Sequence, residues 1–424
     1  MCIRDSDLLG LQIYGQATQR DEDKIVDGYR KRNATNITAK LALTPNRDHD
    51  IVLEATSSRQ KYENTLGKTV APLPPGQACA RTGCPASSET DYRSSKWALS
   101  HTGRWGWAVS DSYVQQEEFD NRSRQMKIKN LDLQTSWSLP LGSHMLTLGG
   151  SYLSQRLTDQ TGNQLAGGPS KVDRYQWAVF AEDEWRLTDS FALTGGLRMD
   201  QDENFGSHFS PRLYGVWHMA ERWTLKGGVS TGFRAPDLRQ TVAGWGQVSR
   251  GGNMYGNPDL TPEKSVTEEI GLLYDDGEGF NAGLTLFNNN FKDKITRVAC
   301  PLSQCTEGPN QFGANPTTYM NVDKAVSRGV EASMKLPLAR DWSVTSSYTF
   351  TKSEQKSGQY AGQPLNQLPK HLFTTTVNWQ ASDALEAWAR VNYRGKESQP
   401  ITGPSSSSLV APSYTFMDLS LIHI

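Results

Sequence analysis

The residues of this 424-residue chain that could do chemistry do not form the constellations that enzymes use. The sequence contains no Gly-x-Ser-x-Gly nucleophile turn, no His-Glu-x-x-His zinc pair and no phosphate-binding glycine loop. Acidic clusters at 182–184 and 200–203 could suggest a metal or a catalytic carboxylate pair. They fall in a strand and at a loop mouth, where solvated charges are the simpler interpretation. We therefore predict no catalytic residues, no metal site and no resident cofactor.

Arginine and aromatic residues instead occur together in long polar stretches of the chain. A guanidinium and an aromatic ring can jointly hold an anionic ligand with flat aromatic faces. The candidate ligand contacts after Pro236 are Arg239, Trp245, Arg250 and Tyr255, and Tyr62 and Tyr92 are weaker candidates. The alternative for each of them is an ordinary solvated loop residue.

Four of the five cysteines form two pairs with the same spacing, Cys79 with Cys84 and Cys300 with Cys305. Each pair lies in a stretch rich in glycine, proline or glutamine. In an oxidising compartment, such close pairs predict small disulfide staples within loops. A zinc site would require the two pairs to converge and would have an unusual spacing, so we favour disulfides.

The composition excludes a helical membrane protein and gives no electrostatic case for binding nucleic acid. Hydrophobic residues make up 36% of the chain, the mean hydropathy is −0.59, and no apolar run approaches the roughly 18 to 20 residues of a spanning helix. The net charge is −1, and neither the acidic nor the basic residues form long runs. A β-barrel remains compatible, because its strands need apolar residues only at alternate positions.

Alternation with a period of two is the strongest pattern in the sequence. Three segments show it most clearly, each with one face suited to lipid and the other suited to water. The opposed faces are Phe191, Leu193, Gly195, Leu197 and Met199 against Ala192, Thr194, Gly196, Arg198 and Asp200; Val344, Ser346, Tyr348 and Phe350 against Thr345, Ser347, Thr349 and Thr351; and Leu385, Ala387, Ala389, Val391 and Tyr393 against Glu386, Trp388, Arg390, Asn392 and Arg394. A soluble β-sandwich could produce any one segment.

Short turns alternate with long polar loops along the whole chain, which is the layout of an outer-membrane barrel. The predicted turns lie near 45–47, 103–104, 140–142, 188–189, 220–221, 275–277, 338–340 and 382–383. The predicted loops lie around 65–95, 159–172, 200–208, 236–264, 298–318, 354–366 and 396–412. We predict an all-β antiparallel transmembrane barrel with about 18 strands in this chain, too wide for side chains alone to fill.

Tryptophans near the short turns predict an aromatic girdle on the periplasmic side of the membrane. The residues concerned are Trp107, Trp137, Trp185, Trp217, Trp223, Trp342, Trp379 and Trp388. Cross-strand stabilisation of hairpin ends is the alternative interpretation. Both interpretations keep the strand assignment.

Two proline-containing landmarks bracket the stretch that holds the main ligand candidates. They are Gly232-Phe233-Arg234-Ala235-Pro236 and Asn257-Pro258-Asp259-Leu260-Thr261-Pro262-Glu263. The proline of the first landmark ends strand pairing, and the two prolines of the second stiffen the backbone before the next strand. Shorter motifs follow at 287–295, 321–325 with 329–331, and 368–371. In this order they resemble the barrel of TonB-dependent outer-membrane receptors, most closely the group of ferric enterobactin and colicin I receptors. The residues of the two landmarks that support this resemblance are Phe233, Arg234, Pro236, Asn257, Pro258 and Leu260.

The resemblance implies a monomeric 22-stranded barrel, closed by an N-terminal plug, in the bacterial outer membrane. Such receptors bind a ferric siderophore at extracellular loops and import it with energy from the TonB complex; colicin or phage are further candidate partners. We find no plug and no TonB box in the sequence, and we assign residues 7–418 to a partial barrel without the last strands. We interpret residues 1–6 and 419–424 as non-native ends.

A catecholate siderophore is the favoured ligand, because its ferric complex is anionic and presents aromatic faces. Haem is the main rival, but no histidine lies between Phe233 and Leu260, where similar haem receptors carry an axial ligand. Cobalamin and other chelates stay open. A passive porin-like channel, from another functional class, would share the strands but has no reason to carry the landmarks.

Overall fold

The computed structural model describes the chain apart from residues 1, 5–7, 80–82, 161–168, 243–244, 248, 250, 302, 304, 306–307, 311–312, 359–360, 366–367, 399–411 and 424. This part is almost entirely β-strand, with one short 3-10 helix, η1 (Arg122–Arg124). No helix in the described residues is both long and apolar enough to cross a membrane.

Most strands are long enough to traverse a bilayer and follow one another in an up-and-down order. In the first part they are β2 (Leu9–Arg20), β3 (Lys31–Asn46), β4 (His49–Asn64), β5 (Ser88–Arg104), β6 (Val109–Asn121), β7 (Met126–Leu141), β8 (His144–Asp159), β9 (Lys171–Thr188), β10 (Phe191–Asp202), β11 (Gly206–Ala220) and β12 (Trp223–Arg234). In the second part they are β15 (Glu263–Asp275), β16 (Asn281–Ala299), β17 (Thr317–Ala339), β18 (Trp342–Gln355), β20 (His371–Ser382), β21 (Leu385–Arg394) and β23 (Tyr414–His423).

Five short strands complete the set: β1 (Cys2–Arg4), β13 (Gly246–Gln247), β14 (Met254–Tyr255), β19 (Leu368–Pro369) and β22 (Glu397–Ser398). In the described residues the main sheet has 21 strands, and without the short β1, β13 and β14 it contains 18 long strands, in agreement with the prediction of about 18. Every long strand pairs antiparallel with the next long one, from β2 through β12 and then from β15 to β23. The predicted all-β antiparallel barrel is confirmed.

The connections alternate between tight turns at one end of the wall and longer loops at the other. The turn between β7 and β8 is typical: Gly142 has a φ of +66°, a left-handed conformation that suits glycine. One predicted loop is wrong, because β10 and β11 extend to Asp202 and Gly206 and leave only a tight turn at 203–205. There Asp202 accepts hydrogen bonds from the backbone of Asn204 and Phe205, which lets a polar stretch close a hairpin.

The two faces of the wall have opposite character, as the alternation predicts. In β10, Leu197 is 50% exposed on the outer face, whereas Asp200 on the inner face is only 5% exposed. The same outward row continues through Leu213, Ile270 and Leu284. A large exposed apolar surface around a polar interior requires lipid outside, which identifies the outer face as the membrane face.

Seven of the eight predicted girdle tryptophans lie on the outer face near the tight turns, where Trp342 and Trp379 stack with ring centroids 5.2 Å apart. Trp388 is the exception. It pairs with Asn378 on the inner face, and the Arg390 guanidinium lies 5.0 Å from the centroid of its ring. The prediction for Trp388 was wrong because nearness to a turn does not determine the face; strand parity does.

Candidate ligand vestibule

The segment between the two landmarks, residues 235–262, does not extend away from the wall as an open loop. It leaves β12 at Arg234, packs against the inner faces of β7, β8 and β9, and then contacts β16 and β17 before β15 begins at Glu263. We call this segment the crossing loop. Several independent contacts hold it, and together they define a vestibule at the loop-bearing end of the barrel.

The first contact holds the proline at which the loop begins. The buried Arg174 of β9 donates a hydrogen bond from Nη1 to the Pro236 carbonyl at 2.6 Å and another from Nη2 to Gln155 at 3.1 Å. Its Nε lies 3.6 Å from the carboxylate of Asp202, which is fully buried. A buried guanidinium with several partners fixes the direction in which the loop enters the vestibule.

The second contact is hydrophobic. Trp245 is only 2% exposed and forms a buried cluster with Met126 and Leu157 from the inner faces of β7 and β8. Side chains that pack around this cluster are Phe119, Ile128, Val172, Leu238 and Val242. Truncating a buried tryptophan of this kind typically costs about 3–5 kcal/mol, so Trp245 is a main anchor of the loop.

The third contact joins the loop to β16 and β17. Arg297 donates from Nη2 to the carbonyls of Gly251 and Gly252, at 3.0 and 2.9 Å. β14 pairs with the start of β17 in parallel, and the Thr318 hydroxyl donates to the Tyr255 carbonyl. Gly252 has a φ of +103°, and a Cβ there would lie 1.9 Å from the Asn315 carbonyl oxygen, so only glycine fits.

The second landmark closes the loop against β17. The Asn257 side chain donates to the Tyr319 carbonyl at 2.9 Å and accepts from the Asp259 backbone, while Leu260 is buried. Two residues of the first landmark act at the other end, where Phe233 stacks on His208 and Arg234 lies 3.6 Å from Glu263. The landmark residues therefore hold both ends of the crossing loop.

A cavity of about 440 Å³ lies between the crossing loop and the inner wall. Its lining brings together three of the residues that the sequence analysis selected, Arg239, Trp245 and Tyr255. The other lining residues are Ile128, Gln155, Leu157, Asp237, Leu238, Gln240, Gln247, Met254, Gly256 and Tyr319. Apolar and aromatic side chains share this lining with polar groups of similar extent, and polar groups that converge on one cavity can orient a small molecule.

Among the residues that the structure describes, the charges at this cavity leave one cation in excess. Asp159 accepts a hydrogen bond from Arg124 at 2.8 Å and lies 3.9 Å from Arg239, so one carboxylate serves two guanidinium groups. At the rim, Asp237 is paired with Arg234 at 3.8 Å. Burial lowers the pKa of Arg239, partly opposed by Asp159, but an arginine stays protonated at neutral pH. The cavity therefore favours an anionic ligand.

Trp245 adds a hydrogen-bond donor to the same cavity. Its Nε1 is buried and has no hydrogen-bond partner in the described part of the chain. A buried N–H without an acceptor carries the full cost of its desolvation, roughly 1–3 kcal/mol. A ligand oxygen placed in the cavity would remove that cost.

The two weaker candidates lie on the wall beside the cavity. Tyr62 packs edge-on to Tyr92 at 6.3 Å, and Tyr92 stacks on Phe119 at 5.8 Å, which in turn touches the Trp245 cluster. The Arg30 guanidinium lies 4.8 Å from the centroid of the Tyr62 ring. This aromatic row leads from the loop-bearing edge of β4 towards the cavity.

The candidates predicted from the sequence therefore come together on one wall, although Arg250 lies outside the described residues. Phe119, Arg124, Asp159 and Tyr319 were not among these candidates. Phe119 shares the inward parity of Tyr62 and Tyr92, so the alternation pattern could have found it. No local signal marks Arg124 or Asp159, whose importance comes from their contact with each other and from the approach of Arg239 in the crossing loop. The structure also contains the disulfides Cys79–Cys84 and Cys300–Cys305.

The lipid-facing wall, the alternating turns and loops, and the vestibule define a β-barrel protein of the bacterial outer membrane. Residues 6–422 match the family model of the TonB dependent receptor-like β-barrel. The chain belongs to this family, whose members are receptors and transporters rather than enzymes, and its strands cross the outer membrane.

Curated relatives agree with the family assignment. The chain is 50% identical over 419 residues to the iron-regulated outer membrane virulence protein of Vibrio cholerae serotype O1, covering 99% of this chain and 63% of the relative. It is 30% identical over 350 residues to the ferric enterobactin receptor of Pseudomonas aeruginosa, covering 71% of this chain and 46% of that receptor. The chain thus spans less than two thirds of the length of these relatives.

Solved structures share the fold at lower sequence identity. A mutant ferric enterobactin receptor from Pseudomonas aeruginosa, solved with enterobactin, superimposes with a TM-score of 0.81 at 23% identity, over 100% of this chain and 70% of that chain. The siderophore receptor PirA from Acinetobacter baumannii gives a TM-score of 0.79 at 22% identity, over 98% and 69% of the two chains.

Proposed function

We propose that this chain forms the wall and vestibule of a receptor that binds a ferric siderophore, of the anionic catecholate type, for import energised by the TonB complex. The observation that carries the proposal is the cavity under the crossing loop. Within the described part of the chain, it combines an excess guanidinium, an indole N–H without an acceptor and aromatic side chains. A ferric tris-catecholate offers a matching negative charge, oxygen acceptors and flat rings.

The named relatives support this proposal from a second direction. The ferric enterobactin receptor of Pseudomonas aeruginosa is 30% identical to this chain, and the ferrienterobactin receptor of Escherichia coli is 29% identical. Import by TonB and adsorption of colicin or phage at the outer loops are family-level expectations that we extend to this chain as proposals.

The test is a titration of the purified receptor, expressed from its native gene, with a ferric tris-catecholate and with an uncharged ferric hydroxamate. Tryptophan fluorescence gives the affinity, since Trp245 lies in the cavity. We expect the tris-catecholate to bind more tightly, and Arg239→Gln to weaken its binding roughly 10-fold or more, because a charge-assisted hydrogen bond is lost.

Arg156→Gln is the matched control, because it removes the same charge from the outer face of β8. Equal weakening by Arg156→Gln, or undiminished binding by Arg239→Gln, would refute the assignment of the cavity. Swelling of receptor-containing liposomes in small sugars, without siderophore binding, would favour a passive channel instead.

A further inference from the structure

Two histidines form a pair on the outer face of the wall, at the tight-turn end of β4 and β5. His49 begins β4 and His101 lies near the end of β5, and Nδ1 of the first ring is 3.1 Å from Nε2 of the second. No metal site was predicted from the sequence, where 52 positions separate the two residues. The pair lies at the opposite end of the wall from the vestibule, and the proposed import does not use it.

The strand register brings the two imidazoles together. His49 is opposite Gly103 and His101 is opposite Ile51 in the antiparallel ladder, so the two histidines are diagonal neighbours. Both side chains share the face of Leu53, which is exposed on the outer side of the wall. Diagonal neighbours with aromatic side chains are close enough to touch. The contact between the rings therefore follows from the pairing of β4 with β5.

The Trp105 indole lies against the pair. Its ring is edge-on to His49, with centroids 4.8 Å apart, and edge-on to His101 at 6.2 Å. The indole Nε1 donates a hydrogen bond to the buried Ser110 hydroxyl at 2.8 Å. A Cβ at residue 103 would lie 2.6 Å from the same Nε1, so Gly103 makes room for the indole. The histidines therefore have a fixed aromatic neighbour rather than open solvent on every side.

The pair differs from other histidines of the wall in its hydrogen bonding. His144, His218 and His371 each have a ring nitrogen 2.8 or 2.9 Å from a side-chain oxygen. Within the described residues, the imidazoles of His49 and His101 have no hydrogen-bond partner except each other. A hydrogen bond between two imidazoles requires a neutral ring, and neutral imidazole nitrogens are the commonest metal ligands in proteins.

The distance between the two nitrogens fits a shared metal ion. Tetrahedral zinc, with bonds of about 2.0–2.1 Å to nitrogen, holds two ligand nitrogens about 3.3–3.4 Å apart. From the observed 3.1 Å the rings would separate by only about 0.2–0.3 Å to admit the ion, and the terminal torsion of histidine is soft enough for this. In the part of the chain that the structure describes, no group of three or more His, Cys, Asp or Glu side chains could hold a metal ion. Water would therefore complete the coordination.

We infer that His49 and His101 form an open binding site for a divalent transition-metal ion of the zinc or copper type. The ion replaces the hydrogen bond between the rings with two metal–nitrogen bonds and joins the ends of β4 and β5. Imidazole ligands suit zinc and copper, and copper binds more tightly than zinc to a given site. Mg²⁺ prefers oxygen ligands, so this site excludes it.

The test uses the receptor expressed from its native gene, purified in detergent without a polyhistidine tag and freed of metal with a chelator. Calorimetry measures the affinity for Zn²⁺, with Mg²⁺ as the comparison ion. Electron paramagnetic resonance of bound Cu²⁺ counts the imidazole nitrogens at the ion. The variants are His49→Gln and His101→Gln. His218→Gln is the matched control, because it removes a histidine from the inner face at the same end of the wall.

We expect the wild type and the control to bind Zn²⁺ and Cu²⁺ but not Mg²⁺, with two imidazole nitrogens in the Cu²⁺ spectrum. Each variant should bind Zn²⁺ at least about 100-fold more weakly, because losing a ligand exceeds the roughly 10–100-fold effect of losing an outer-shell contact. Heat-modifiable gel mobility confirms that each variant is folded. Unchanged Zn²⁺ affinity in either variant, or no Zn²⁺ binding by the wild type, would overturn the inference and leave the pair as a hydrogen bond alone.

Discussion

At the residue scale, Trp245 combines packing of the crossing loop with a hydrogen-bond donor at the cavity. Two variants of Trp245 distinguish its packing role from its role as a hydrogen-bond donor. We expect Trp245→Phe to keep most of the buried contacts with Met126 and Leu157, yet to weaken ferric catecholate binding about 10-fold, because the N–H is gone. Fluorescence from the remaining tryptophans or calorimetry gives the affinity.

Trp245→Ala is the comparison for this prediction. It removes the anchor as well as the donor, so we expect about 3–5 kcal/mol less stability for the docked loop, seen as faster proteolysis between residues 236 and 262. If Trp245→Phe binds ligand as tightly as the wild type, the indole N–H does not contact the ligand.

Glu22, in the loop between β2 and β3, ties that loop to the next one. Its carboxylate accepts hydrogen bonds from the Thr65 backbone and the Thr69 hydroxyl, both at 2.5 Å. These bonds lower its pKa from 4.5 to about 2. Because the folded-state pKa is depressed, the stabilisation is fully present above pH 4.5 and is lost as the pH falls towards 2.

Pepsin cleavage near Leu66 reports on this contact between the two loops, since pepsin is active across that pH range. We expect cleavage of the wild type to be slow at pH 4.5 and to accelerate as the pH approaches 2, beyond the change in the activity of pepsin itself. Glu22→Gln cannot ionise, so its cleavage should follow pepsin activity alone. The same pH profile for both proteins would show that Glu22 is not the titrating group.

At the element scale, the crossing loop depends on one backbone conformation as well as on its side chains. Gly252→Ala introduces a Cβ at a φ of +103°, against the Asn315 carbonyl. We expect the loop to detach from β17 and to be cleaved at least about 10-fold faster by a protease, since the strain exceeds roughly 1 kcal/mol. Gly195→Ala, where a Cβ meets no atom within 4 Å, is the control and should behave like the wild type.

The lipid face of a single strand gives a second prediction at this scale. Leu197 points outward near the middle of β10, while Thr194 points inward. We expect Leu197→Lys to destabilise the folded protein in bilayers by about 2–4 kcal/mol, and Thr194→Lys to have little effect, because a charge is costly only in hydrocarbon. Denaturant titrations in lipid vesicles measure the difference. Equal losses would contradict the assigned faces.

The elements that local alternation determines were predictable from the sequence. Leu197 and Asp200 differ in environment because successive residues of a strand point to opposite faces, so that residues three positions apart also lie on opposite faces. This alternation can be recognised in the sequence itself. The docking of the crossing loop was not predictable, because Trp245 contacts Met126, a residue more than one hundred positions earlier. The candidate ligand residues could be selected by chemical type, but their burial and their shared cavity follow from that long-range packing.

At the scale of the whole molecule, three zones follow one another along the barrel. Tryptophans lie near the tight turns, apolar side chains cover the outer face, and the loop-bearing end holds the vestibule. In our proposal, the excess positive charge inside the vestibule attracts an anionic ferric chelate.

Uptake of radiolabelled iron by iron-starved cells tests the receptor proposal most directly. The iron is supplied as a ferric tris-catecholate to cells that carry the native gene, cells that lack it, and cells that carry Arg239→Gln. We predict uptake that depends on the gene and on the TonB complex, and that is reduced by Arg239→Gln at low ligand concentration. Equal uptake with and without the gene, in cells that have no other catecholate receptor, would contradict the account.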